Sequence, residues 1–186
     1  LVGSEMCIRD RVNENASLNA NNASSTGVLA NDDDNAAYDS ESLAVTNISS
    51  DSTGNSGNAT QGVLGTYGTL TVAADGTYTY TANTAAAEAL DAGDSETDVF
   101  TYTVKDDDDV NSSTATLTIT VNGVDDNPVG NNDAGAINED KTLTVSTGSG
   151  VLSNDTDADA SSSLTVSAIS GGTVGQEVNG TYGVLT

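Results

Sequence analysis

The chain has 186 residues, enough for one domain and part of another. Its 28 acidic residues against 4 basic ones give a formal net charge of −24, which repels nucleic acid and anionic lipid and favours cations. One cysteine allows no intrachain disulfide, the absence of histidine removes Ser-His and Cys-His chemistry, and no apolar run reaches the ~18 residues of a membrane span.

Residues 1–11, "LVGSEMCIRDR", differ in texture from everything after them. They hold the only cysteine (Cys7), the only methionine (Met6) and two basic residues, Arg9 and Arg11. The codons ATG TGT ATA AGA GAC encode Met-Cys-Ile-Arg-Asp and match a transposon sequencing adapter. The segment therefore reads as translated adapter or a disordered leader, and no apolar stretch follows the arginines as a signal peptide requires. It is set aside for fold reasoning, and the net charge is unchanged because Glu5 and Asp10 offset the two arginines.

From Val12 the chain repeats itself. "VNENASLNANNASSTGVLANDDDNA" at Val12 returns as "INEDKTLTVSTGSGVLSNDTDADA" at Ile137. "LAVTNIS" at Leu43 returns as "LTVSAIS" at Leu164, and "GTYGTLT" at Gly65 as "GTYGVLT" at Gly180. The spacing shrinks from 125 to 121 to 115 residues, so length changes fall in loops between the shared segments. The first copy is expected over 12–126, a linker over 127–132, and the start of a second copy over 133–186. Both ends read as cuts in a longer array.

Within the first copy the apolar period is two, the mark of half-buried strands. "GTLTVAADGTYTYTA" is a hairpin: Leu70 and Val72 face one way, Asp75-Gly76 make the turn, and Tyr78 and Tyr80 return. "NTAAAEALDAGDS" is helical for a turn or two at most. "TDVFTYTVKD" puts Phe100, Tyr102 and Val104 on one face, and "STATLTITVNG" does the same with Leu117, Ile119 and Val121. Threonine fills the outward positions, where a branched side chain suits the pleat. The pattern predicts an all-β protein, a Greek-key Ig/cadherin-like β-sandwich repeated in tandem, with the second repeat truncated and its sheet open-edged.

These segments carry a family likeness. "GTYGTLTVAADGTYTYTANTAAAEALDAGDSETDVFTYTVKD…STATLTITVNGVDDNPV" resembles the VCBS-type repeat of very large bacterial surface proteins. "NEDKTLTVSTGSGVLSNDTDAD" is similar to the start of bacterial cadherin-like repeats. The resemblance implies a module of a long secreted or cell-surface adhesin, often of the RTX type, with calcium within or between β-sandwich units. It further implies a spacer role in cell adhesion or biofilm formation. One departure is that the family's linker ends closer to Asn-Asp-x-Pro, whereas this one reads Asp125-Asp126-Asn127-Pro128.

The linker region is dense in oxygen. Proline stiffens it, and calcium takes about six to eight oxygens from carboxylates, amide carbonyls and backbone. Asp125, Asp126 and Asn127 are expected to bind Ca²⁺ together with Asp155, Asp157 and Asp159 from the second copy, or Asp106 and Asp108 from the first. Asp133 and Glu139 are further candidates by proximity. By repeat equivalence Glu14, Asn31, Asp32 and Asp34 would face a preceding module. The competing reading is a solvated acidic coat. Zinc, copper and haem iron favour ligands the chain lacks. The Asp155-x-Asp157-x-Asp159 spacing also fails as an EF-hand, with Ala160 where glycine is needed and Val166 in place of the bidentate glutamate.

An enzyme is not expected, since carboxylate pairs arise by chance among so many acids. The expected partners are neighbouring repeats of the same chain. The alternative is a calcium-dependent module for cell-surface or matrix polysaccharide. Against it, there is no tryptophan, and only Tyr38, Tyr67 and Tyr182 lie outside the expected core strands. Gly-Thr-Tyr-Gly reads as a strand-end packing motif.

Overall fold

A computed structural model of the chain describes residues 7–13, 17–20, 27–29, 32, 43–105 and 112–186. It divides into two compact units, Leu1–Asp125 and Asp126–Thr186.

In the first unit two sheets face each other. One has the order β1-β9-β8-β3-β4, built from β1 (Cys7–Asn13), β9 (Ser112–Asn122), β8 (Ser95–Lys105), β3 (Ala44–Ser50) and β4 (Ser56–Asn58). The other has the order β2-β7-β6-β5, built from β2 (Ser17–Ala20), β7 (Tyr78–Ala82), β6 (Gly68–Val72) and β5 (Gly62–Leu64). The period-two pattern is the cause. Alternate residues of β8 (Phe100, Tyr102, Val104) and β9 (Leu117, Ile119, Val121) are buried and meet Leu70, Val72, Tyr78 and Tyr80 from the opposite sheet. Each large apolar side chain withdrawn from water in this way contributes about 1.5–3 kcal/mol. Tyr80 and Phe100 touch edge to face across the core, their ring centroids 6.2 Å apart. This is the expected β-sandwich.

Local chemistry explains the connections. Leu70 pairs with Tyr80 and Val72 with Tyr78. The turn between them places Gly76 at φ +83°, and the Asp75 carboxylate accepts from the Thr77 N–H and hydroxyl. The alanine-rich stretch makes a single helical turn, α1 (Ala85–Glu88), capped by Thr84, whose hydroxyl oxygen accepts from the Ala87 N–H. In β3 the buried positions step from Val45 to Ile48, because the pairing with β8 shifts register between Val45 and Asn47. That bulge absorbs the extra residue.

The edge strand β1 differs from expectation in direction and reach. It runs parallel to β9, from Cys7 opposite Thr116 to Asn13 opposite Asn122. The ladder thus includes residues that composition set aside. A ladder needs only backbone N–H and C=O groups, so pairing is indifferent to where those residues came from.

Among the described residues of the second unit there is one ladder, β10 (Val178–Asn179) against β11 (Val184–Leu185), and a 3-10 turn at Thr147–Ser149. The stretch 127–132, expected as a linker, is bonded into this unit: Val129 bridges Thr156 in both directions. "LTVSAIS", the counterpart of β3, carries no ladder beyond a bridge from Ile169 to Gly172. Among the described residues no helix is long and apolar enough to cross a membrane.

Candidate functional site

Asp155, Asp157 and Asp159 lie on one loop of the second unit, and the stretch that begins at Asp126 runs against it. The Asp126 N–H donates to Asp159 Oδ2 at 3.0 Å, and the Asn131 N–H to Asp155 Oδ1 at 2.7 Å. The side-chain amides of Asn131 and Asn154 add bonds to the Asn154 and Asn132 carbonyls, at 2.7 and 3.3 Å. Asp157 Oδ1 accepts from the Asp159 N–H at 3.0 Å. The fold therefore brings the Asp126 backbone to the acidic loop, and it ranks the acids. Asp159 is 8% exposed, Asp155 and Asp157 are half-buried, and Asp125, Asn127, Asp133 and Glu139 are exposed.

Asp159 Oδ1 is buried and has no hydrogen-bond partner among the described residues. A buried carboxylate oxygen without a donor is costly, and a bound cation or water is what ordinarily compensates it. Among the described residues no three acidic side chains form a ready group of metal ligands. A cation here would thus draw on Asp159, Asp157 and Asp126 with carbonyl or amide oxygens completing its shell. Asp106 and Asp108, like Glu14, Asn31 and Asp34, lie outside the described residues. Asp32 is half-buried beside Tyr102, whose hydroxyl lies 2.9 Å from the Val28 carbonyl and 3.3 Å from Asp32 Oδ2. Burial raises the Asp32 pKa, partly countered by that hydroxyl.

The acid that sequence reasoning missed is Asp98. It is fully buried in the core of the first unit, on β8, and reaches across to the opposite sheet. Its Oδ1 accepts the Thr66 N–H at 2.8 Å, and its Oδ2 accepts the N–H groups of Tyr67 and Gly68 at 3.0 and 3.2 Å. The Tyr80 hydroxyl donates to Oδ2 at 2.6 Å. Four donors thus converge on one carboxylate, and the acid locks the Gly-Thr-Tyr-Gly turn to the other sheet. The turn needs glycine, since a Cβ on Gly65 would meet the Asp98 carboxylate and the Phe100 ring. Burial, then the hydrogen bond and charge of Asp98, push the Tyr80 hydroxyl far above its ordinary value. A signal existed: Asp98 sits two residues before Phe100, in phase with the buried face.

No curated protein matches the chain. The profile of the bacterial cadherin-like domain matches residues 9–123. That segment runs from inside β1 to just past β9, and so takes in the two-sheet sandwich described above. On a match covering well over half its length, the chain belongs to the bacterial cadherin-like domain family.

Proposed function

We propose that the chain is a structural repeat module of a large bacterial surface or secreted adhesin, a calcium-rigidified extracellular spacer in cell adhesion or biofilm formation. Family membership supports the coarse part, because bacterial cadherin-like domains are non-catalytic, occur in surface proteins and generally bind calcium. The observation that carries the calcium reading is the buried Asp159 oxygen to which nothing among the described residues donates. In a chain of net charge −24, a carboxylate so placed is more costly still, and a divalent cation removes both penalties. Bound there, the ion supplies positive charge that holds together groups that otherwise repel. Asp126 follows the last residue of the first unit directly in sequence. Ordering Asp126 against Asp159 restrains the connection, and neighbouring repeats of the same chain are the partners it serves.

The test is thermal or chemical unfolding of the chain across a calcium titration. A ligand that binds only the folded state stabilises it by about 2.7 kcal/mol at a hundredfold excess over its dissociation constant. Asp159→Ala should abolish that calcium-dependent increment, whatever it does to the metal-free protein. Asp133→Ala and Glu139→Ala, at exposed positions, should keep it. An increment unchanged in Asp159→Ala, or absent from the parent chain, defeats the reading.

A further inference from the structure

We infer that Asn58 is an acceptor for Asn-linked glycosylation, its carboxamide nitrogen taking a sugar from a diphosphate-activated donor. Asn-x-Thr or Asn-x-Ser, with x other than proline, is the acceptor pattern of that reaction. Four complete copies lie among the described residues, beginning at Asn47, Asn58, Asn154 and Asn179. A chain this rich in asparagine and threonine produces the pattern by composition alone, so the pattern distinguishes none of them.

Geometry does. Asn58 ends β4 and Gly62 begins β5, edge strands of the two different sheets. Between them the Gln61 N–H donates to the Asn58 carbonyl at 3.1 Å and closes a four-residue turn. Thr60 stands third in that turn at φ +73°, the place and the sign of φ that suit glycine. The turn is held in this shape from both sides. The Ala59 N–H donates to the Thr46 carbonyl on β3 at 3.2 Å, and the Thr60 N–H to the Val72 carbonyl on β6 at 2.7 Å. A β-branched residue in the left-handed region is strained. Glycine would make the same backbone bonds without strain, so the backbone gives no reason for threonine here. The hydroxyl two residues after Asn58, which the acceptor pattern requires, gives one.

The site is also open. Asn58 and Thr60 are exposed, and among the described residues neither side chain makes a hydrogen bond. The other copies differ. Asn47 lies within the sheet, opposite Asn58 and Thr103, and its neighbour Ile48 is buried, so an enzyme could reach it only by breaking rungs. The Asn154 side-chain amide already donates to the Asn132 carbonyl. Thr181, in the copy from Asn179, has no positive φ and hence no strain for a hydroxyl to explain. In the transfer the Asn58 nitrogen bonds to the anomeric carbon of the sugar. The bond from that carbon to the diphosphate oxygen breaks, the diphosphate leaves with the electron pair, and the nitrogen gives one proton to a base. A sugar at Asn58 stands at the junction of β4 and β5, edges whose unpaired backbone groups otherwise invite a further strand.

The test treats the folded full chain with UDP-glucose and a soluble Asn-glycosyltransferase already shown to modify the free peptide NSGNATQG, residues 55–62. Mass spectrometry of the digested product should place a hexose on Asn58 and none on Asn47 or Asn154. Asn58→Gln and Thr60→Ala should lose the hexose, and Thr60→Ser should keep it. Thr60→Gly should lose it too, yet unfold at higher denaturant concentration than the parent chain, because the strain at φ +73° is gone. The inference is overturned by an unmodified Asn58 in the folded chain, by equal modification of Asn47 or Asn154, by a hexose that persists on Asn58 in Thr60→Ala, or by a Thr60→Gly chain no more stable than the parent.

Discussion

Val28 and Val151 hold the same place in a repeated Gly-Val-Leu, yet Val28 is 0% exposed and Val151 is 56% exposed. The contrast recurs along the two units. "LAVTNIS" contains most of strand β3, held between β4 and β8, whereas "LTVSAIS" has no ladder. Leu164 and Val166 keep the alternation, half-buried, without the strand. A short apolar segment with period two is therefore a strand only when another strand supplies its hydrogen bonds. The turn Gly65–Gly68 and its twin Gly180–Gly183 make the complementary point. Both close with the same glycine N–H to glycine carbonyl bond, at 2.7 Å, because a hairpin closes on itself.

The sharpest way to break the comparison is to remove the carboxylate that fills the first unit's turn. Asp98→Ala strands three N–H groups, one of them fully buried, and the buried Tyr80 hydroxyl, and should cost on the order of 3–5 kcal/mol of stability in denaturant unfolding. If it costs less than about 1 kcal/mol, the latch across the sheets is not what holds the first unit's turn. Next comes the matched leucine pair. Leu70→Ala should cost about 2–5 kcal/mol, whereas Leu185→Ala at the equivalent exposed site should stay within about 0.5 kcal/mol.

A smaller effect separates two tyrosines of β7. Tyr80→Phe removes a bond to a buried carboxylate and should cost about 1.5–3 kcal/mol. Tyr78 is buried and its hydroxyl has no partner among the described residues, so Tyr78→Phe should be neutral or mildly stabilising. The same chemistry sets a pH dependence. Burial, reinforced by the Asp98 and Asp32 carboxylates, raises the Tyr80 and Tyr102 hydroxyls above the ordinary value of 10.0. The unfolded chain then loses protons that the folded chain keeps. Stability should hold below about pH 10 and fall as pH rises beyond it. Denaturation midpoints followed through that range should fall less steeply in Tyr80→Phe.

Much of the first unit was legible because its period is simple. The hairpin through Asp75-Gly76, the inward rows on β8 and β9, and the single helical turn all follow from local pattern. The shift between Val45 and Asn47 left a trace, an apolar spacing of three, that only pairing with β8 converts into a bulge. Asp98 was harder. Its phase marked it as inward, but an acid at that position reads as solvated unless the donors across the sandwich are known, and those lie about thirty residues away in sequence. Likewise Gly-Thr-Tyr-Gly was readable as a packing motif while its carboxylate partner was not. In the acidic loop, density of aspartate singled out the segment against which the stretch from Asp126 runs. It could not say that Asp159 would be the buried one and Asp155 would be occupied by the Asn131 N–H, since that depends on how the stretch from Asp126 returns.

The parallel pairing of β1 with β9 carries a mechanical consequence. The polypeptide comes in along one of these neighbours and departs along the other in the same direction. A tug on both flanks therefore slides the two lengthwise past each other, and every rung from Cys7 to Asn13 bears the load together. Antiparallel neighbours at the same place would be peeled apart one rung at a time, at far lower force. Under such a pull this sheet yields abruptly rather than by gradual stretching.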